Sequence, residues 1–149
     1  LIAKKNLIND SNIKLVLNDS KNLDKILGNE NIDLKNDNNT FFYLDAHSDD
    51  DYPLHDEIKY IIENYKNFIL IIDDFQIPGD DGYGYDSYRG KKLNINFIKN
   101  LLSEKEYVFF PKVKSNDETG RTRGYIIITN NYDFKNILLG IQELKEHSN

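Results

Sequence analysis

The chain has 149 residues, of which 39% are apolar, with a formal net charge of −6 and neither Cys nor Met. That length suits one domain with a real core, and an acidic balance with no basic stripe disfavours a general affinity for nucleic acid. No apolar run approaches the ~20 residues of a membrane span, and the absence of Cys rules out disulfides and thiolate metal sites, which is compatible with a reducing, cytoplasmic compartment.

The first ten residues, LIAKKNLIND, place Leu1, Ile2, Ala3, Leu7 and Ile8 around Lys4 and Lys5, without the h-region of a secretory signal. They read as the tail of a helix, and with no Met in the chain, a piece of a longer protein is expected. Ile13–Leu17 is a short β-branched run, expected as a strand, ending at Asn18-Asp19-Ser20, residues that favour a helix N-cap. A helix over Lys21–Leu27 should stop at Gly28, and the polar stretch 29–40 should be a surface loop. Phe41–Asp45 is the next strand. A helix follows from Pro53, with Leu54, Ile58, Ile61, Ile62 and Tyr65 on one face.

Phe68–Asp73 is a third strand, followed by a long loop, Gln76–Lys92, with glycines and tyrosines interleaved. Such loops in small domains are either functional or disordered. Leu93–Leu102 reads as a helix. Tyr107–Val113 and Gly124–Thr129 are strands whose short connection makes them an antiparallel hairpin. Phe134–Leu144 is an amphipathic helix with Phe134, Ile137, Leu138, Ile141 and Leu144 on one face, a surface through which an oligomer could form. Alternation of strands and helices predicts a single α/β domain over residues 1–149. Its sheet is expected to be mostly parallel and Rossmann-like, with helices on both faces and a C-terminal antiparallel hairpin.

Two of the apolar runs end abruptly in polar groups, at Asp45-Ala46-His47 and at Asp73-Asp74. Each run reads as a strand buried on both faces. In open α/β sheets, ligands bind outside the carboxyl ends of the strands, so these residues are expected to meet in one crevice. Hard carboxylate oxygens there suit a divalent cation such as Mg²⁺, or they cap helices and face water. His47, two residues after Asp45, points to the same side of an extended chain and is a candidate base or a structural histidine. Asp49, Asp50 and Asp51 read as a first turn favourable to the dipole of the following helix.

The order LDAH, IIDDF, PGDDGYGYD and ETGRTRGYIII resembles the second half of a class I S-adenosylmethionine-dependent methyltransferase domain. The resemblance covers most of Ile13–Thr129. In that family seven strands run in the order 3-2-1-4-5-7-6, with strand 7 antiparallel. Ile13–Leu17 would be strand 3, Phe41–Asp45 strand 4, Phe68–Asp73 strand 5, Tyr107–Val113 strand 6 and Gly124–Thr129 strand 7. The resemblance implies a small hydroxylated or sugar-like acceptor, and S-adenosylmethionine bound in part by Asp19, Ser20 and Asp45. It also implies a divalent metal on Asp45, Asp73 and Asp74, with catalysis by His47 and Asp45. The lysine base that the catechol-type members carry three residues after the first Asp is Ser48 here, which leaves His47 as the base candidate. Tyr83 and Tyr85 would belong to a substrate lid, while Arg121 and Arg123 would clamp an anionic group or form only a polar hairpin tip.

The family's glycine-rich turn after strand 1 and the acidic residue after strand 2 have no counterpart in this sequence. The chain is therefore expected to be the C-terminal portion of such a domain. Two other readings stand beside this one. LDAHSDD resembles the manganese motif of ureohydrolases, although that family's other metal motifs are missing. A truncated, non-catalytic α/β domain that binds a partner would equally lack strands 1 and 2.

Overall fold

The structure, a computed structural model, describes residues 6–7, 12–29, 39–46 and 53–147. A 3-10 turn, Ser20–Asn22, runs into helix α1, Leu23–Asn29, and strand β1, Thr40–Leu44, is followed by helix α2, Leu54–Asn64, and strand β2, Phe68–Ile72. Two short strands, β3 (Ser87–Tyr88) and β4 (Lys91–Lys92), precede helix α3, Ile95–Ile98, and strand β5, Tyr107–Pro111. A second 3-10 turn, Ser115–Asp117, leads to β6 (Ile126–Thr129), helix α4 (Tyr132–Leu139) and β7 (Leu144–Glu146).

The main sheet has the order β1-β2-β6-β5-β7, and β3 and β4 form a separate hairpin. The chain is thus mixed α/β, as its alternation of apolar periods implies, but the mostly parallel Rossmann-like sheet is corrected. Only β1 and β2 pair in parallel, while β6 is antiparallel to both β2 and β5, and β7 is antiparallel to β5. The cause lies in β6. Its connection from β5 holds only the 3-10 turn Ser115–Asp117 and no helix to carry the chain across the sheet, and it returns antiparallel. All four of its residues, Ile-Ile-Ile-Thr, are buried, so it lies inside the sheet between β2 and β5, not at the margin. By these pairings β1, β2 and β5 share one direction, and β6 and β7 oppose them.

The core follows from strand alternation. Phe68, Leu70 and Ile72 of β2, Val108 and Phe110 of β5, and Ile126 and Ile128 of β6 pack with Leu54, Ile58 and Ile61 of α2 and with Ile98. On the opposite face Phe109 and Ile127 pack with Leu138 of α4. Each side chain fully buried in this way contributes about 1.5–3 kcal/mol. Helices on both faces are therefore observed.

Several expectations at element level change. Ile13–Leu17 forms no strand and exposes its side chains, Leu17 by 88%. The β1 run is buried on one face only, because Phe41 and Tyr43 are 61% and 53% exposed. The helix expected over Leu93–Leu102 shrinks to α3, since Asn94 accepts a hydrogen bond from the Phe97 N–H at 3.3 Å and so starts the helix after itself. The helix expected to reach Leu144 ends at Leu139, with Gly140 as its C-cap, so Leu144 pairs in β7 instead. Of its expected inward face only Leu138 is buried, while Ile137 is 62% exposed. Among the described residues no helix is long and apolar enough to cross a membrane. The N-terminal helix tail (save residues 6 and 7), most of the loop before β1, and His47 to Tyr52 lie outside the described residues.

Truncating Ile58 to Ala should remove about 2–5 kcal/mol of unfolding free energy in a urea titration. Ile137→Ala, on the exposed side of α4, should change it by no more than about 0.5 kcal/mol.

Candidate functional site

The carboxyl ends of β1 and β2 open onto a hollow of about 610 Å³, lined by Asp45, Asp73, Asp74, Glu118, Arg121, Arg123 and Tyr125. Parallel pairing puts Leu44 beside Ile72, so the residues that follow each strand, Asp45 and Asp73, emerge side by side. This is the crevice that strand polarity predicts. Five of the expected site residues meet here.

Local geometry then divides their roles. Asp74 has φ 55°, a left-handed conformation that Asp tolerates better than most residues. This sharp turn after β2 brings its carboxylate to Arg123, whose Nε donates to Asp74 Oδ1 while Nη2 donates to Asp86 Oδ1. The two carboxylates raise the Arg123 pKa further above its already high value, the Asp74 hydrogen bond most of all and the Asp86 hydrogen bond next to it, against the opposing effect of burial. Asp73 instead accepts from the Tyr43 hydroxyl at 2.6 Å. That hydrogen bond, with burial and the nearby Asp73, Asp45 and Asp74 charges, pushes the Tyr43 pKa up from 10.0 to about 12.

Arg123 is thus the fork that holds the loop after β2, and only Arg121 remains as an exposed cation on the wall. Glu118 and Tyr125 are pocket residues that motif spacing alone did not single out, although both flank the two arginines in sequence. The Tyr125 phenol is pushed up in pKa, chiefly by burial and then by Glu118 and Glu143, which keeps it a neutral hydrogen-bond donor at ordinary pH.

The loop expected as a lid is anchored at both ends. Phe75 N–H donates to Gly124 C=O at 2.8 Å, Gly124 N–H to Gly84 C=O at 2.9 Å, and Gly84 N–H to Thr122 C=O at 2.8 Å. A Cβ on Gly124 would collide with the Phe75 carbonyl oxygen and the Ile77 side chain, so the two segments approach this closely only with Gly there. Tyr83 is 2% exposed, with its hydroxyl 3.2 Å from the Val113 C=O; its ring is part of the core and offers no face to a substrate. Tyr85 lies under Lys92, whose Nζ is 5.5 Å from the ring centroid. Arg89 and Gly90, at φ 48° and 78°, make the tight turn that joins β3 to β4.

The two remaining cofactor expectations lie elsewhere. Asp19 caps its own 3-10 turn by accepting from the Lys21 N–H at 3.0 Å, and Ser20 lines a different hollow against α2. His47 is outside the described residues. The carboxylates as placed do not fit a shared metal ion: Asp74 is held by Arg123, and among the described residues no group of three His, Asp or Glu side chains is arranged to hold one.

Replacing Arg123 by Ala should cost about 1–2 kcal/mol in denaturant unfolding, allowing for partial exposure of the side chain. It should also open residues 78–92 to limited proteolysis, whereas Arg121→Ala should do neither. Lys at position 123 should restore little, because it lacks the planar two-armed donor set. Because the folded protein holds Tyr43 at a raised pKa, the stability from its hydrogen bond is full below pH 10.0 and is lost as pH rises toward 12. Tyr65, Tyr83 and Tyr125 are also raised, so a phenolate absorbance titration should show several late-titrating tyrosines, one of which disappears in Tyr43→Phe.

No family model, curated protein or solved structure matches the chain.

Proposed function

We propose that the chain forms the acceptor-binding side of a class I methyltransferase domain, with the hollow beyond β1 and β2 holding a small hydroxylated or sugar-like acceptor. The observation that carries the reading is the strand order β1-β2-β6-β5, with β6 inserted antiparallel among three strands of common direction. The resemblance implies this order for strands 4, 5, 7 and 6. A second support is the position of the hollow at the carboxyl ends of the two strands it assigns to that side.

In this reading the polar wall does the recognition. Acceptor hydroxyls donate to Asp45, Asp73 and Glu118, Tyr125 donates from its neutral phenol, and Arg121 takes an anionic substituent. Asp45 lies where it can accept the proton of the reacting hydroxyl, with His47 as the other base candidate. S-adenosylmethionine, when bound, supplies the electrophilic methyl group. The described residues do not fit a complete cofactor site, because of Asp19, Ser20 and Asp45 only Asp45 reaches this hollow. They make the acceptor side alone. A second reading, a partner-binding α/β domain without catalysis, is favoured by the exposed aromatic face of β1 at Phe41 and Tyr43.

The test is calorimetric titration with S-adenosylmethionine, with and without Mg²⁺, together with transfer of labelled methyl groups to a panel of catechols and sugars. Heat on adding an acceptor of this panel is the result expected of an acceptor side alone, and Asp45→Asn should weaken that binding by about tenfold; no heat with any acceptor would sink the reading. If neither cofactor condition gives heat and no acceptor is labelled, this chain is not a methyltransferase by itself.

A further inference from the structure

A second hollow, of about 310 Å³, lies between the 3-10 turn with α1 and the outer side of α2. Its wall includes Glu57, which points inward from α2 although it is charged by nature. Glu57 is only 2% exposed. Ser20 lies beside it on the same wall, yet the buried oxygen Oε2 has no hydrogen-bond partner among the described residues. Leaving a carboxylate oxygen buried without a donor is costly, more so than for a neutral group.

Neighbouring charges do not offset it. The hollow is lined by four carboxylates, Asp24, Asp56, Glu57 and Glu63, against the two lysines Lys21 and Lys59. Lys59 lies 4.0 Å from Glu63 one turn along the helix, and no lysine forms an ion pair with Glu57 among the described residues. Leu23 adds an apolar patch to the wall. The site is therefore a roomy, net-negative hollow with one buried acceptor in want of a donor.

We propose that this hollow binds a small organic cation, a primary ammonium on a short apolar stem, with its N–H groups donating to Glu57 Oε2. An anion is excluded by the same carboxylates, and no three-ligand group suited to a metal ion exists among the described residues. Burial raises the Glu57 carboxyl above its usual range, the Ser20 hydroxyl opposes this, and Asp19 and Asp56 reinforce it. Uptake of the ammonium therefore strengthens as pH rises through that raised value. Lys21 and Asp24 on one side, and Lys59, Tyr60 and Glu63 on the other, complete the charged and titratable surroundings. The inference does not depend on the methyltransferase reading, which concerns the other hollow.

The test uses n-butylammonium as probe against the whole chain near neutral pH, followed by amide NMR shifts and calorimetry. Saturable binding is expected, with shifts centred on residues 20–24 and 56–60. Tetramethylammonium, a cation without N–H donors, and butanol, a stem without charge, should bind at least about tenfold more weakly. Glu57→Gln should weaken butylammonium by about tenfold or more, while Asp56→Asn, an exposed neighbour, should stay within about threefold. Ser20→Ala should move the pH midpoint of binding upward, since it removes the donor that favours the ionised carboxylate. Absence of saturable butylammonium binding, equal binding of tetramethylammonium, or unchanged affinity in Glu57→Gln would each overturn the proposal. Should Glu57→Gln fail to fold, the Ser20→Ala midpoint decides, and an unshifted midpoint counts against it.

Discussion

Strand β6 is the constraint on which the rest of the molecule depends. Four consecutive residues, Ile126 to Thr129, are buried at every position, so both of its edges and both of its faces must be covered. The edges are covered by β2 and β5, one face by the α2 side of the core and the other by Leu138 of α4. Thr129, the one polar member, donates its hydroxyl to the Phe68 C=O at 2.6 Å and so costs little to bury. Once β6 is central, β2 cannot be an edge strand, and the chain after β2 must pass the segment that enters β6.

That passage builds the site. The residues just before β6, Thr122 to Gly124, hydrogen-bond with Phe75 and Gly84, and Arg123 is drawn between Asp74 and Asp86. A segment rich in glycine and tyrosine is thereby held as a fixed wall, with Phe75, Ile77, Tyr83 and Leu93 buried beneath it. The fork of Arg123 also decides which carboxylates of the hollow face a ligand. Asp74 is largely committed to it, while Asp45 and Asp73 stand at the strand ends. A pocket with both signs of charge on its wall suits polar groups that offer donors and acceptors together.

Much of this was legible in residue order. The runs FFYL and FILII were readable as strands and LHDEIKYIIEN as an amphipathic helix, because apolar period and length suffice for such elements. Asp45, Asp73 and Asp74 were legible as neighbours because strand ends in parallel register must lie together. Less was legible where local pattern and long-range packing compete. Leu144 continues a helical period from Phe134, but Gly140 ends the helix and the free edge of β5 takes the residue. Tyr83 read as an amphipathic lid residue, yet its ring fills core space and only its hydroxyl needs a polar partner. Glu57 falls at i+3 from Leu54 and i−4 from Ile61, on the buried stripe of α2, but its charged type masks that position when the sequence is read for apolar residues alone.

By itself, then, the sequence determined that the runs of β1, β2, β5 and β6 are strands and that α2 is a helix, that the chain is mixed α/β, and that carboxylates gather at two strand ends. These depend on local propensity and on side-chain period, which are properties of neighbouring residues. Only the tertiary structure decided that β6 lies inside the sheet, making most pairings antiparallel, and that Arg123 joins Asp74 to Asp86. It alone also decided that Glu57 is buried without a full set of donors. Each of these is a contact between residues far apart in the chain, settled by which apolar surfaces must be covered together, and no local pattern carries that information.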